Sequence, residues 1–351
     1  MCSFVRLENL PDILANKIGE PISIGGIDLP NRAFLAPMSG VTDVPFRKLA
    51  HRYGAGLVVS EMVASEAFIT GQAEMQLKVM SGDFEPHMVQ LAGREANWMA
   101  KAAIVAEANG ADIIDINMGC PAKRVTTGYS GSALMRDLDH ALTLIDAVVD
   151  AVKVPVTLKM RLGWDDTSIN APDLAKRAED AGIQMITVHG RTRCQFYKGQ
   201  ANWSAVKHVK EATNLPLVVN GDITTQINAH DALDKSNADA VMIGRGAYGA
   251  PWMPVHIAGI VSNKEASALK SNYKIAIEHH NEMLTFYGLE SGIRQARKHL
   301  GWYLDNLNLP KSASLHKKTI LTSFKPEEIY QTLELIFAMH EEVCDISGVA
   351  A

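Results

Sequence analysis

Residues 111–125, ADIIDINMGCPAKRV, decide the fold. The stretch opens as a buried strand, rich in isoleucine, from Ala111 to Asn117. It then breaks at Gly119, presents a thiol at Cys120, stiffens at Pro121 and continues into Lys123 and Arg124. A strand that ends in a polar residue, a glycine and a cysteine carries its chemistry on the loop beyond its carboxyl end. In open and closed α/β folds that is where ligands bind. Taken alone, the motif leaves two readings of Cys120, a functional thiol or a buried inert one.

Outward from this strand the same pattern recurs. Short apolar runs lie at 33–36, 57–60, 87–91, 112–117, 156–160, 185–188, 217–220 and 240–243. Each is too short for a helix and most are β-branched, so they read as strands buried on both faces. Helical stretches separate them. They are predicted at 43–53 after a Thr42 cap, 96–109, 132–152 as one long amphipathic helix, 172–181, 203–212 after Asn202, and 225–235 after a Thr224 cap. Proline or glycine near their starts, and glycine or asparagine beyond several ends, are ordinary start and stop signals. Eight strands alternating with helices predict an α/β protein built on a (β/α)8 TIM barrel, with a doubly wound open sheet as the alternative. Residues 1–30 read as an N-terminal leader ending in a turn-rich stretch, and 31–260 as the barrel. Residues 261–351 read as a small all-helical C-terminal domain, with helices at 273–287, 292–307 and 326–345 behind a linker near Ser262-Asn263-Lys264.

The 351 residues, 47% hydrophobic and 21% charged, have the composition of an ordinary globular chain. No apolar run approaches the ~18 residues of a membrane span, and the N-terminus lacks the pattern of a secretory signal. The four cysteines lie far apart without a CxxC pair. That argues against a disulfide scaffold or structural zinc and points to a reducing, cytoplasmic setting. No metal is expected: His279 and His280 are adjacent on a helix and so face different ways. The net charge of −5 does not announce a nucleic-acid binder, so any basic face must come from local clustering.

In a barrel the strand ends share one rim. That rim gathers Pro37, Met38 and Ser39; Ser60 and Glu61; Gln90; Asn117 and Cys120; Lys159 and Arg161; His189, Arg191 and Arg193; Asn220, Gly221 and Asp222; and Gly244, Arg245 and Gly246. A purely structural barrel does not need a basic or amide side chain at nearly every strand end, so the concentration marks an active site. Residues 244–249, GRGAYG, match GxGxxG, but Pro251 and Pro254 interrupt the helix a dinucleotide fingerprint requires. A better reading makes Asn220-Gly221-Asp222 and Gly244-Arg245-Gly246 a phosphate site after strands seven and eight. Lys159 suits either a Schiff base or a fixed cation holding an anionic ring or carbonyl. His189 suits an acid, a phosphate partner or a satisfied core histidine, and spacing does not separate these.

Several motifs then line up in order. Residues 36–43 with Pro45-Phe46-Arg47, 59–62, 89–93, 115–123, 158–164, 189–193 with Tyr197 and Gly199, 220–223 and 243–246 together resemble the flavin-dependent tRNA-dihydrouridine synthases. Within that family the chain is most similar to the bacterial B-type enzymes, some of which carry a nitrogen-regulation name. The resemblance covers roughly residues 22–260 and extends through Arg294-Gln295-Ala296-Arg297-Lys298-His299 and Trp302-Tyr303 to about 310.

The resemblance implies an FMN enzyme that reduces the C5=C6 bond of particular uridines in tRNA, with NADPH (or NADH) as reductant. Pro37, Met38 and Ser39 would line the flavin, with Gln90 and Lys159 on its polar edge. His189, Asn220, Gly221, Asp222, Gly244 and Arg245 would hold the ribityl phosphate. Cys120 would be the acid, with Asn117, Arg161 and Arg191 on the substrate. Lys123, Arg124, Arg294, Arg297 and Lys298 would bind RNA, with only Asp305 opposing the basic run of the helical domain. A thiol suits the proton transfer, because its ordinary pKa of ~8.5 keeps it protonated at neutral pH. A monomer is the default expectation. The rival readings are an FMN barrel acting on a free pyrimidine, a Schiff-base aldolase using Lys159, and a non-catalytic RNA-binding protein.

Overall fold

The computed structural model describes residues 17–307 and 309–347. Residues 1–16 of the expected leader, with Cys2, and the last residues of the acidic tail lie outside the described residues. The rest of the leader forms an antiparallel hairpin, β1 (Ile22–Ile24) and β2 (Ile27–Leu29), turning through Gly25 and Gly26.

Nine strands follow: β3 (Ala33–Leu35), β4 (Leu57–Val58), β5 (Val63–Ala64), β6 (Met88–Ala92), β7 (Ile113–Met118), β8 (Val156–Arg161), β9 (Ile186–His189), β10 (Leu217–Asn220) and β11 (Ala240–Ile243). They pair in parallel in the order β4-β3-β11-β10-β9-β8-β7-β6-β5. A parallel bridge from Val59 to Met88 joins the two ends, so the sheet curls into a TIM-type barrel. The predicted second strand, 57–60, is reduced to β4 and the bridge at Val59, and β5, which was not predicted, follows after Ser60-Glu61-Met62.

Side-chain alternation divides the barrel interior by height. Phe34, Leu57, Met88, Ile113, Val218 and Ala240 form an apolar lower layer, and Ile24 and Leu29 of the hairpin plug it from below. Two residues further along these and neighbouring strands, the interior turns polar at Gln90, Asp115, Asn117, Thr157, Lys159, Thr187 and Asn220, all buried. The outward faces, Ile114, Ile116, Leu158, Val188, Val219 and Val241 among them, join the main core with the surrounding helices. Apolar burial therefore closes the bottom and leaves the polar set at the top.

The barrel helices are α1 (Val44–Arg52), α2 (Ser65–Ile69), α3 (Ala73–Val79), α4 (Ala96–Ala108), α5 (Lys123–Thr126), α6 (Leu138–Val149), α7 (Ala171–Asp180), α8 (Trp203–Ala212), α9 (Gln226–Ser236) and α10 (Met253–Ile257). The helix expected over 132–152 forms only over Leu138–Val149. Gly131–Arg136 is a 3-10 turn, because the backbone N–H of Ser132 and its hydroxyl both bond to the Cys120 carbonyl, at 3.1 and 2.9 Å. Asp137 then caps α6 by accepting from His140 N at 3.0 Å. Replacing Asp137 with alanine is expected to cost about 1 kcal/mol, the usual value of an N-cap, read as a lower denaturant midpoint. Asp43 rather than Thr42 caps α1, and Thr225 rather than Thr224 caps α9. Thr42 Oγ1 instead accepts from Met38 N at 2.9 Å and shapes the rim loop.

Beyond β11 only helices occur among the described residues: α11 (Asn263–Lys270), α12 (Tyr273–Tyr287), α13 (Leu289–Asp305), α14 (Ser314–Thr322) and α15 (Pro326–Ser347). The expected linker at 262–264 is a helix start, with Ser262 and Glu265 closing a capping box. These helices share a second core that also draws in Ala250, Trp252 and Val255. They dock on the barrel through Tyr287 Oη donating to Asp43 Oδ2 at 3.1 Å and Asn306 Nδ2 donating to the Tyr248 carbonyl at 2.9 Å. Trp302 stacks on Tyr248 with ring centroids 4.1 Å apart. Among the described residues no helix is long and apolar enough to cross a membrane.

Candidate active site

A cavity of about 640 Å³ opens at the carboxyl ends of the strands. It is lined by Pro37, Met38, Ser39, Gln90, Asn117, Cys120, Lys159, Arg161, His189, Asn220, Gly221, Asp222, Gly244 and Arg245. One concave site thus gathers fourteen residues predicted on seven separate strand ends; Ser60 and Glu61, predicted after the second strand, do not line it. Gln90 lies within β6 rather than at its end, pointing inward beside Asp115, its register partner on β7.

One wall of the site is cationic. Lys159 Nζ donates to Asn220 Oδ1 at 3.1 Å, and Asn220 Nδ2 is held by the Met242 carbonyl at 2.8 Å. Burial pushes the Lys159 ammonium down to about 8; Asp115 and Cys120 act to raise it, and Arg161 acts with burial. Lys159 is therefore charged at neutral pH but close to release. Burial drives His189 well below the ordinary imidazole value, helped by Arg161, Lys159, Arg191 and Arg245, so its ring is neutral. Arg191 Nη1 lies 3.3 Å from His189 Nε2. A guanidinium only donates, so Nε2 is the acceptor and the ring proton sits on Nδ1, available as a donor to the cavity.

Arg191 itself does not line the cavity. It is buried behind the wall, with all five of its N–H groups used on protein. Nη1 and Nη2 grip Asp222 at 3.0 and 2.6 Å, Nε reaches the Lys198 carbonyl at 3.1 Å, and Nη2 the Gly199 carbonyl at 2.7 Å. Burial opposes ionisation of Asp222, but hydrogen bonds from Arg191 and Ala201 N outweigh it and hold the carboxyl below its usual range. Asp222 takes a positive φ of 56°, so the pair secures a strained turn. Before it, Gly221 has φ +113°, and a Cβ there would meet His189 Cδ2 at 2.8 Å. Gly244 differs: a Cβ would find no protein atom nearer than Met38 Sδ at 3.8 Å. The protein itself leaves room at Gly244, and the missing side chain keeps a cradle open on the cavity.

Across from this wall stands the Cys120 loop. Asn117 Oδ1 accepts from the backbone N–H of Cys120 at 2.9 Å and of Gly119 at 3.2 Å. Arg161 Nε donates to the Gly119 carbonyl at 2.8 Å, and Nη1 to the Thr192 and Phe196 carbonyls, each at 2.9 Å. With Ser132 on the Cys120 carbonyl, the backbone on both sides of the thiol is fixed. The thiol makes no hydrogen bond to a described residue, leaving it free to face a ligand.

The cavity also uses residues the sequence reading did not assign to it: Met62, Phe196, Ile223, Thr224 and Tyr248. Phe196 is 42% exposed at the mouth and has a positive φ of 56°. Its aromatic pair with Tyr197, after a run of polar rim residues, was a signal available in the sequence. Lys123 and Arg124 are exposed on α5, outside this cavity. On α13, Arg294 pairs with Glu290, so Asp305 is not the only acid opposing the basic run; Asp305 itself pairs with Lys317. Arg297 lies 4.6 Å over the Phe324 ring and donates to the Thr322 carbonyl, while Lys298 reaches Gln295 at 3.3 Å. No group of three or more His, Cys, Asp or Glu side chains suited to a metal occurs among the described residues.

The Dihydrouridine synthase (Dus) family model matches residues 34–342. A probable tRNA-dihydrouridine synthase of Rhizobium leguminosarum bv. phaseoli is 58% identical over 299 residues, covering 85% of this chain and 93% of that protein. The tRNA-dihydrouridine synthase B of Pseudomonas aeruginosa is 46% identical over 290 residues, covering 82% and 87%. Among solved structures, the 6-hydroxypseudooxynicotine amine oxidase of Pseudomonas geniculata superposes with a TM-score of 0.57 at 14% identity, covering 73% of this chain and 51% of that one. Histamine dehydrogenase from Rhizobium sp. 4-9 gives 0.53 at 14%, covering 76% and 51%. These two share the fold. With the family model spanning nearly the whole chain and relatives this similar, the chain belongs to the dihydrouridine synthase family.

Proposed function

We propose that this protein is an FMN-dependent tRNA-dihydrouridine synthase that reduces the C5=C6 bond of uridines in tRNA. The observation that carries the reading is the pairing, across one cavity, of an immobilised and unbonded thiol with a wall of cationic, amide and glycine residues whose chemistry suits a phosphate and a polar ring edge. The names of the relatives point the same way.

The residues present suit FMN. The open cradle at Gly244, the Nδ1–H of His189, Arg245 and the backbone around Gly221 would hold its phosphate, with Asn220 and Asp222 shaping the turn. Pro37, Met38 and Ser39 would face its ring, and Gln90 and Lys159 its polar edge. When bound and reduced by NADPH, the flavin supplies a hydride equivalent for uracil C6. Every other step belongs to side chains of the protein. Asn117 orients the base, and Cys120 gives its proton to C5. Lys159 and Arg161 place positive charge near the carbonyl oxygen where negative charge develops. Uridine in folded tRNA is stacked, so the base must be drawn out of the stack to reach the cavity. Exposed Lys123 and Arg124 beside the Cys120 loop, with Lys298 and the helices of 261–351, would hold the RNA backbone in the cytoplasm. Arg294 and Arg297, already engaged on protein, contribute less to that reading.

The decisive experiment maps dihydrouridine in tRNA from cells with and without the gene. Loss of the modification at one or more positions is expected; an unchanged map overturns the proposal. Oxidation of the reduced protein by free uracil but not by tRNA would replace it with a free-pyrimidine reductase.

A pH dependence follows from Lys159. An anionic or carbonyl ligand favours the charged lysine, so binding strengthens while Lys159 holds its proton and weakens as pH rises through about 8. FMN affinity followed by fluorescence quenching should fall above that pH. Lys159→Met should bind more weakly throughout and lose the alkaline limb. A wild-type curve flat from pH 7 to 9 would remove Lys159 from the ligand's polar edge.

A further inference from the structure

The polar layer beneath the cavity contains a carboxyl group whose only part above is to favour the charged form of Lys159. Asp115 is buried at 2% exposure and does not line the cavity. One oxygen accepts from Thr157 Oγ1 at 2.6 Å and the other from Gln90 Nε2 at 2.6 Å. Gln90 Oε1 in turn accepts from Asn117 Nδ2 at 2.7 Å, and Asn117 Oδ1 accepts the backbone N–H of Cys120 at 2.9 Å.

This chain of bonds has a fixed polarity. The backbone N–H groups of Gly119 and Cys120 only donate, so Asn117 must turn its amide oxygen to the loop and its nitrogen to Gln90. Gln90 must then turn its oxygen to Asn117 and its nitrogen to Asp115, whose oxygen accepts it. The loop end therefore fixes the orientation of both amides, and the carboxyl group completes the chain as its final acceptor. We infer that Asp115 is a positioning residue for the Cys120 thiol, acting through Gln90 and Asn117 on the loop that carries it. The inference rests on Cys120 being the proton donor, but its geometric content does not.

Replacing Asp115 with asparagine keeps the shape and removes the charge and one acceptor. The new amide keeps its bond to Gln90 only where the Thr157 hydroxyl turns to accept from its nitrogen. Where its nitrogen turns to Gln90, the mismatch passes along both amides to Cys120. The test measures two quantities in the full-length protein. Peptide-resolved alkylation by iodoacetamide compares Cys120 with exposed Cys194 in the flavin-free form. Single-turnover oxidation of the reduced holoenzyme by unmodified tRNA gives the rate at saturation and the half-saturating concentration. In Asp115→Asn, alkylation of Cys120 relative to Cys194 is expected to rise several-fold. The saturating rate should fall by about 10–100-fold, the scale of a misplaced reacting group, with half-saturation little changed. Thr157→Val should shift both in the same direction by less, and Thr157→Ser should restore wild-type values.

Unchanged Cys120 alkylation and rate in both Asp115→Asn and Asp115→Leu, the second of which leaves Gln90 no acceptor, overturns the inference. So does loss of flavin with unchanged alkylation, which would confine Asp115 to the cofactor floor. Should Asp115→Asn fail to fold, the Thr157 pair decides by the same criteria. If the wild-type protein does not oxidise with tRNA, the proposed function fails, and the alkylation arm still judges the coupling.

Discussion

Cys120→Ala is expected to retain FMN and lose about 10²–10⁴-fold in turnover, the range for loss of a general acid. The retention follows from how the loop is held. Asn117, Ser132 and Arg161 all bind backbone atoms of residues 119–120, not the sulfur. Alanine therefore leaves every one of those bonds in place. The wall that would hold the phosphate, from His189 to Arg245, shares no hydrogen bond with the thiol. The substitution thus isolates one atom's chemistry with unusual cleanness. Reduction by NADPH should proceed at near wild-type rate, whereas re-oxidation by unmodified tRNA should nearly stop. Stopped-flow absorbance of the flavin separates the two halves. Near-normal re-oxidation in Cys120→Ala would show that the proton comes from elsewhere. Loss of the flavin itself would move Cys120 into the cofactor site.

Why the site was so legible, and where it was not, comes down to how local each signal is. A strand buried on both faces announces itself by composition, so ADIIDIN and VTLKMR could be placed without a partner. Within such strands polar residues two apart must share a face, which put Asn117 and Lys159 on the inside. The same alternation also placed Asp115 and Thr157 there, one layer deeper. Neither lies at a strand end, so the rim pattern does not single them out, although the period of two places them. The 132–152 helix failed for another reason. Its apolar spacing is helical throughout, and only the tertiary bonds from Ser132 to the Cys120 carbonyl turn the first six residues aside. Arg294 illustrates a third limit: its partner Glu290 lies one turn back, before the basic run begins, and so stands outside the charge balance of that run. Tyr248 and Trp302 are 54 residues apart and meet only because the helical module folds back on the rim. No local pattern carries that contact.

Arg191 separates a substrate-contact reading from a structural one, and the structure favours a large stability effect. Its side chain is 1% exposed and is bound to Asp222, 28% exposed, as well as to two carbonyls and His189. Removing one partner of a buried ion pair typically costs ~3–5 kcal/mol, because the other charge is left unpaired. Partial exposure of Asp222 lets water recover some of that, so Arg191→Met is expected to destabilise the flavin-free protein by about 2–4 kcal/mol in chemical denaturation. It should also lose FMN, since the strained turn at Gly221-Asp222 relaxes without its anchor. Arg191→Lys cannot span five acceptors with one ammonium and should fall in between. Asp222 is held below its ordinary carboxylate value, so its pairing contributes fully above the unfolded value near pH ~4. That contribution fades as pH falls through the depressed folded value. The stability gap between wild type and Arg191→Met should therefore narrow in acid and be widest at neutral pH. A stable, flavin-loaded Arg191→Met with weakened tRNA binding would instead return Arg191 to the substrate. A gap that widened in acid would mean that some other group, and not Asp222, depends on the arginine.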